Sequence, residues 1–353
     1  MMSTVSSTTA QAQAAGDEEA VAEIMRRGGA VLRERMMRTE EHLERVAAEA
    51  GAPLAMHATA TVLAGGKRLR PLLVVLAATA AGDLGGDERC LVRAAVAVEL
   101  VHSATLVHDD VIDGAQLRRG HPSVVARAGR RMAIATGDLL FSRAFAELAR
   151  NRSLAQLQAL SDASSALAEG ELLQREDAYA LQVAVERYLR RCELKTAALF
   201  EAACRLGALV AGEGADPSLP APAAELAEAL GAFARRIGLA FQLLDDVLDV
   251  SGPVERTGKP RGTDLLDGTV TLPLILARER DQSLSAVDLA LLGGPEQAAE
   301  LCDRIAATGA LEEAREQALA LVAEAKAMLP AILPDGRAAL LDLVADAVVE
   351  RYR

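Results

Sequence analysis

The sequence predicts an all-α fold, on three observations. Nearly every stretch spaces its apolar residues with helical period. Ala and Leu dominate while aromatics make up only 2% of residues and Trp is absent, which favours helices over strands. No run reads as a convincing strand pair.

The elements follow in order. Residues 1–20 are rich in Ser, Thr, Ala and Gln and read as a disordered lead-in, without the basic start and apolar centre of a secretory signal. Gly82 to Gly86 makes a turn. From Glu88 to Asp113 apolar residues fill most positions for over six turns, so this helix is expected to be central rather than superficial. Gly114 to Pro122 is a polar loop. Ala211 to Pro222, with three prolines, links two helices. Leu226 to Val250 is a second core helix. Ser251 to Gly268 is a long Gly- and Pro-rich loop, and Gly293 to Glu296 and Leu329 to Gly336 punctuate the last third. No shift in composition marks a boundary, so residues 21–353 are expected to form a single helical domain.

Bulk properties narrow the function. A net charge of −12 argues against a general nucleic-acid binder. Cys90, Cys192, Cys204 and Cys302 are widely spaced and read as reduced packing residues of a cytoplasmic protein. The longest apolar run, Pro71 to Ala81, is shorter than the ~20 residues of a bilayer span. A soluble protein is expected, with peripheral membrane contact left open.

The decisive pattern occurs twice. Asp109-Asp110-Val111-Ile112-Asp113 and Asp245-Asp246-Val247-Leu248-Asp249 each close a long apolar helix. Positions i and i+4 share a helix face, so Asp109 and Asp113 point the same way, about 6 Å apart along the axis, as do Asp245 and Asp249. Paired carboxylates repel by about 0.2–0.5 kcal/mol when exposed and by more when buried. The macrodipole at a helix C-terminus also disfavours acid. Solvated helix ends would explain one such motif; two matched copies call for a cation. Hard oxygen ligands suit Mg²⁺, which is commonly held by one or two carboxylates plus substrate phosphates.

Basic residues supply the counterpart for an anionic substrate. Gly65-Gly66-Lys67-Arg68-Leu69-Arg70-Pro71 is a compact basic loop. Arg118-Arg119 follows the first motif, Lys195-Thr196 lies between the motifs, and Lys259 follows the second. His102 shares a helix face with Asp109. Gln242 lies three residues before Asp245, where its amide can bond a phosphate oxygen or a water.

This arrangement resembles the trans-isoprenyl diphosphate synthase, or polyprenyl synthetase, family. The matching segments run Gly65–Pro71, Val98–Pro122, Gly170-Glu171 to Gln174, Lys195–Ala197, Phe241–Asp249 and Gly258–Pro273, spanning residues 60 to 275 in the family's order. The resemblance implies the isoprenoid synthase fold, a bundle of antiparallel helices around a deep central cavity, usually as a homodimer. It implies transfer of an allylic prenyl group to isopentenyl diphosphate. It places Mg²⁺, three ions with substrate bound, at Asp109, Asp110, Asp113, Asp245 and Asp249. Asp109, Asp113, Asp245 and Lys195 would be catalytic. Lys67, Arg70, His102 and Arg119 would hold isopentenyl diphosphate; Arg118, Lys195, Thr196, Gln242 and Lys259 would hold the allylic diphosphate. Many relatives carry a lysine where Thr269 stands here, and Arg261 is the candidate replacement.

In the family the product grows past the helix that carries the first motif. Thr105 and Ala104, four and five residues before Asp109, are expected to face that path. Both are small, which predicts a long product of roughly C30 to C50, with Phe141, Phe145 or residues of a partner chain as a deeper floor. A geranylgeranyl (C20) synthase is the alternative. A terpene cyclase would not need a second diphosphate site, and a non-catalytic partner subunit would not need both motifs whole.

Overall fold

Helices dominate the structure, a computed structural model that describes residues 20–82, 87–212, 223–252, 260–333 and 336–350. The expected lead-in lies outside the described residues, apart from Ala20, which opens a helical segment at 20–27. Then come α1 (Gly29–Ala48), α2 (Ala52–Leu63), α3 (Leu69–Ala81) and α4 (Glu88–Asp113). Asp87 caps α4 by accepting the Arg89 N–H, and Gly114 ends it in the left-handed conformation, φ 64°.

The chain between α4 and α5 (Val124–Ala149) is not merely a loop. Leu117–Arg118 and His121–Pro122 pair as a two-stranded antiparallel hairpin, β1 and β2. A two-residue strand lacks the alternation that would reveal it in sequence. Beyond α6 (Leu154–Glu176), helix α7 (Val185–Cys192) runs through a π-helical turn, Glu193–Ala197, into α8 (Ala198–Gly212). The second motif closes α9 (Ala223–Ser251). Short α10 (Thr263–Leu266), α11 (Leu272–Arg280), α12 (Pro295–Ala307), α13 (Ala310–Ile332) and α14 (Ala339–Glu350) complete the chain. Helix α13 runs past the break expected at Leu329. The expected breaks at 83–86 and 213–222 lie outside the described residues.

Both expected core helices are central. Helix α4 is buried on nearly all sides from Leu91 to Ala104 and packs most extensively on α5. It is long and apolar enough to cross a membrane, but most of it is enclosed by the protein. In α9, Leu230, Phe233, Ile237 and Leu244 form a buried stripe against α8 and α13. Each such side chain contributes about 1.5–3 kcal/mol of burial. That interior holds the two carboxylate-bearing helix ends in place. Cys192, Cys204 and Cys302 are buried thiols within the packing.

Candidate active site

The C-terminal half of α4 divides by face. Thr105, Asp109 and Ile112 line a largely apolar cavity of about 370 Å³, closed by Phe141 of α5, Leu167 of α6 and, at its polar end, Glu171 and Lys195. Burial pushes the Asp109 carboxyl up to about 6; Lys195 opposes this, while Glu171 and Asp113 add to it. Asp113 meets the guanidinium of Arg175. Asp110 points elsewhere. It is 3% exposed and accepts two hydrogen bonds from Arg118, at 2.8 and 2.5 Å. Asp110, expected among the metal ligands, turns its Oδ1 to Arg118, about 100° around the helix from Asp109 and outside the cavity that Asp109 lines.

The π turn packs between α6 and α9, the helix that carries the second motif. Lys195 Nζ pairs with Glu171 on one side. On the other, Thr196 Oγ1 donates to Gln242 Oε1 at 2.7 Å. The Gln242 amide donates to Asp246 Oδ1 at 2.7 Å, and the Tyr188 hydroxyl to Asp246 Oδ2 at 2.6 Å. Glycines on both flanks allow this closeness. A Cβ on Gly170 would lie 2.7 Å from Lys195 N, and one on Gly238 would lie 2.8 Å from Ala197 Cα. Gly170→Ala is therefore expected to displace the Lys195 backbone and cost about 1–3 kcal/mol of stability. Denaturant unfolding alongside turnover checks this, with turnover falling more than stability alone explains.

The second motif is a knot of like charges. Burial pushes Asp246 up to about 8, reinforced by Asp264 and more weakly by Asp245, and opposed by its two hydrogen bonds. Asp249 rises to about 6, first through burial; it accepts the Asp264 N–H at 3.2 Å. Asp245 and Asp249 keep the i, i+4 relation. Carboxylate oxygens are the hard donors that suit Mg²⁺, although among the described residues no three acidic, histidine or cysteine side chains converge as a ready ligand set.

Basic side chains gather around Glu99 and His102 of α4. Arg68, left-handed at φ 49°, donates to Glu40 at 2.6 Å, to Glu99 at 2.8 Å and to the Val62 carbonyl at 2.8 Å. Arg70 lies over the Phe200 ring, 4.9 Å from its centroid, with a buried Nε that finds no partner among the described residues. Burial pulls Arg70 down to about 10. A Cβ on Gly66 would touch Arg119 Nη1 at 2.8 Å, so the basic loop and the hairpin meet there. Glu99, 3% exposed, is the anion amid this group; burial raises it while Arg68, Arg70 and Arg119 pull it down. His102 is pushed well below its usual range by burial, then by Arg70 and Arg119, and so is neutral near pH 7. Such a group is complementary to a diphosphate.

Two expected residues meet other surroundings. Arg261, the candidate partial replacement for a lysine at position 269, donates to the Val250 carbonyl at 2.9 Å and pairs with Asp303 at 2.8 Å. Ala104 is 0% exposed and packs in the core, so only Thr105 of the expected pair lines the cavity. Lys259 lies outside the described residues. The sequence reading gave no role to Glu99, Arg175 or Tyr188. Glu99 precedes His102 by three residues and Arg175 follows Glu171 by four, spacings that place each pair on one helix face; Tyr188 has no such signal.

Carboxylate clusters at two helix ends, a group of buried guanidinium side chains and an apolar cavity between helices are features suited to an enzyme of diphosphate substrates. The chain belongs to the polyprenyl synthetase family, whose sequence pattern matches residues 52–307. It is a prenyltransferase of the diphosphate synthase type. The match extends beyond the 60 to 275 carried by the motifs alone. A heptaprenyl diphosphate synthase component 2 of Geobacillus stearothermophilus is 40% identical over 268 residues, 76% of this chain and 79% of that one. A geranylgeranyl diphosphate synthase of Methanosarcina mazei is 37% identical over 297 residues, 82% of this chain and 86% of that one. A polyprenyl synthase structure from Caulobacter crescentus, complexed with calcium and isoprenyl diphosphate, superimposes with a TM-score of 0.74 at 34% identity, covering 98% of this chain and 96% of the other. The family generally uses Mg²⁺, isopentenyl diphosphate and an allylic diphosphate.

Proposed function

We propose that this chain condenses isopentenyl diphosphate with an allylic diphosphate, head to tail and trans, and repeats the step to a product of roughly C30 to C50. The observation that carries this reading is the cavity below Asp109: polar at the Glu171–Lys195 end, apolar beyond, and walled by the small Thr105.

Asp109 and Asp113 from α4, and Asp245 and Asp249 from α9, are the residues that would hold Mg²⁺, three ions with substrate bound. When bound, Mg²⁺ neutralises the departing diphosphate. Lys195, Thr196, Gln242 and Lys259 orient the allylic diphosphate, with the π turn holding the first two between α6 and α9. Lys67, Arg70, His102 and Arg119 hold isopentenyl diphosphate, with His102 as a neutral hydrogen-bonding group. Arg118, anchored by Asp110, lies between the two anions. The apolar cavity wall keeps water from the allylic cation.

The test is product analysis. Purified protein with labelled isopentenyl diphosphate, farnesyl diphosphate and Mg²⁺ is expected to release diphosphate and yield C30–C50 chains. A chelator should abolish both. Absence of diphosphate release would overturn the reading; a product stopping at C20 would make it a geranylgeranyl synthase. A cytoplasmic homodimer, with peripheral membrane contact as product leaves, completes the proposal. Light scattering checks it, with need for a different subunit as the opposing outcome.

A further inference from the structure

Arg175 stands one turn after Glu171 on α6, so both side chains leave the same helix face. Its Nε donates to Glu171 Oε1 at 3.0 Å, and its Nη2 reaches Asp113 Oδ1. The other Glu171 oxygen takes Lys195 Nζ. Glu171 thus anchors two cations side by side at the polar end of the cavity. One of them, Arg175, occupies a carboxylate oxygen of the first aspartate motif.

The two contacts of Arg175 differ in kind. Glu171 is largely shielded, with its side chain 14% exposed, while Asp113 is 38% exposed and Arg175 39%. An ion pair as open as Arg175–Asp113 is worth only about 0–1 kcal/mol. A divalent ion arriving at Asp113 displaces it readily. The shielded Glu171 contact, through Nε, remains as a tether. Its Nη groups, at Asp113 in this structure, are a guanidinium fork that matches phosphate oxygens.

We propose that Arg175 is an exchangeable counter-ion: it holds Asp113 while the site has no divalent ion, and turns to the allylic diphosphate once an ion takes that carboxylate. This rests on the function proposed above and adds a diphosphate-binding residue to it.

The experiment uses Arg175→Gln and Arg175→Lys in the full chain. The first readout is calorimetric titration of Mg²⁺ alone into substrate-free protein. Arg175→Gln, with no cation to displace, should bind the ion about threefold more tightly. The second readout is steady-state kinetics. Arg175→Gln should raise KM for the allylic diphosphate about tenfold and leave KM for isopentenyl diphosphate within twofold. Arg175→Lys should recover part of that loss. A melting temperature close to that of the parent protein confirms that the variants fold. Unchanged ion affinity together with an unchanged allylic KM would reduce Arg175 to a surface salt bridge and overturn the proposal. Weaker Mg²⁺ binding in Arg175→Gln would also overturn it, because Arg175 would then support the ion site rather than compete for it. If the parent protein turned nothing over, the functional reading would fail, while the Mg²⁺ titration would still decide the exchange at Asp113.

Discussion

Asp109→Asn is expected to lower turnover by roughly 10²–10³-fold or more while making the ion-free protein more stable. The carboxylate is held at the polar end of the cavity at a cost to the fold. Burial pushes it up to about 6, and Glu171 and Asp113 add repulsion that Lys195 only partly offsets. Its charged form is therefore disfavoured in the folded chain relative to the unfolded one. An acid raised this way imposes no penalty below its unfolded value near 4 and the full penalty above about 6. Stability of the ion-free protein contributed by this group falls as pH rises across that window. The neutral amide removes the penalty, on the order of 3 kcal/mol at pH 7, so the melting temperature should rise by a few degrees. At pH 4 the two proteins should melt alike. Calorimetric melting at both pH values, alongside turnover with Mg²⁺, provides the test. A loss of stability at pH 7 would mean that the aspartate is structural, and unimpaired turnover would remove it from the ion site.

Function and fold were readable in sequence to different depths. The ends of α4 were legible because apolar residues all round a helix have one explanation, burial, and because Gly114 stops it. The i, i+4 spacing of Asp109 and Asp113 depends only on helix geometry, so their shared face could be read directly. Partners in space could not be read that way. Asp110 is one residue from Asp109, yet faces a hairpin whose existence the sequence did not disclose, and there it meets Arg118. Arg261 carries the right charge and sits near the right position, but α12 offers it Asp303. The π turn leaves no mark in composition. Gly170 and Gly238 look like ordinary helical glycines until α6 and α9 are seen to press on either side of it. Local rules placed the carboxylates on their helices; packing between distant helices decides which cavity and which partners each of them meets.

Product length is expected to depend on Thr105 and Phe141 rather than on Ala104. Adjacent residues on a helix point about 100° apart, so Thr105 lines the cavity while Ala104 is wholly enclosed. Thr105→Phe puts a ring into the apolar space below Asp109, where the growing chain must pass. The product should shorten to about C15–C20, with the first condensation kept, because the diphosphate-binding groups are untouched. Ala104→Phe forces the same volume into a packed core. It should cost about 1–3 kcal/mol, with shortened product only as a consequence of distorted packing. Phe141 offers the opposite change. It lines the cavity and stacks on His108, ring centroids 5.9 Å apart and planes 21° from parallel, so the pair forms an aromatic wall between α4 and α5. Phe141→Ala opens that wall and should add at least one five-carbon unit to the product, at a stability cost of about 3 kcal/mol or less, since Phe141 is only partly buried. Chromatography of dephosphorylated products from the three variants, each with its denaturant midpoint, separates tunnel effects from packing effects. If Thr105→Phe and Phe141→Ala both left chain length unchanged, the cavity below Asp109 would not be the path of the growing chain.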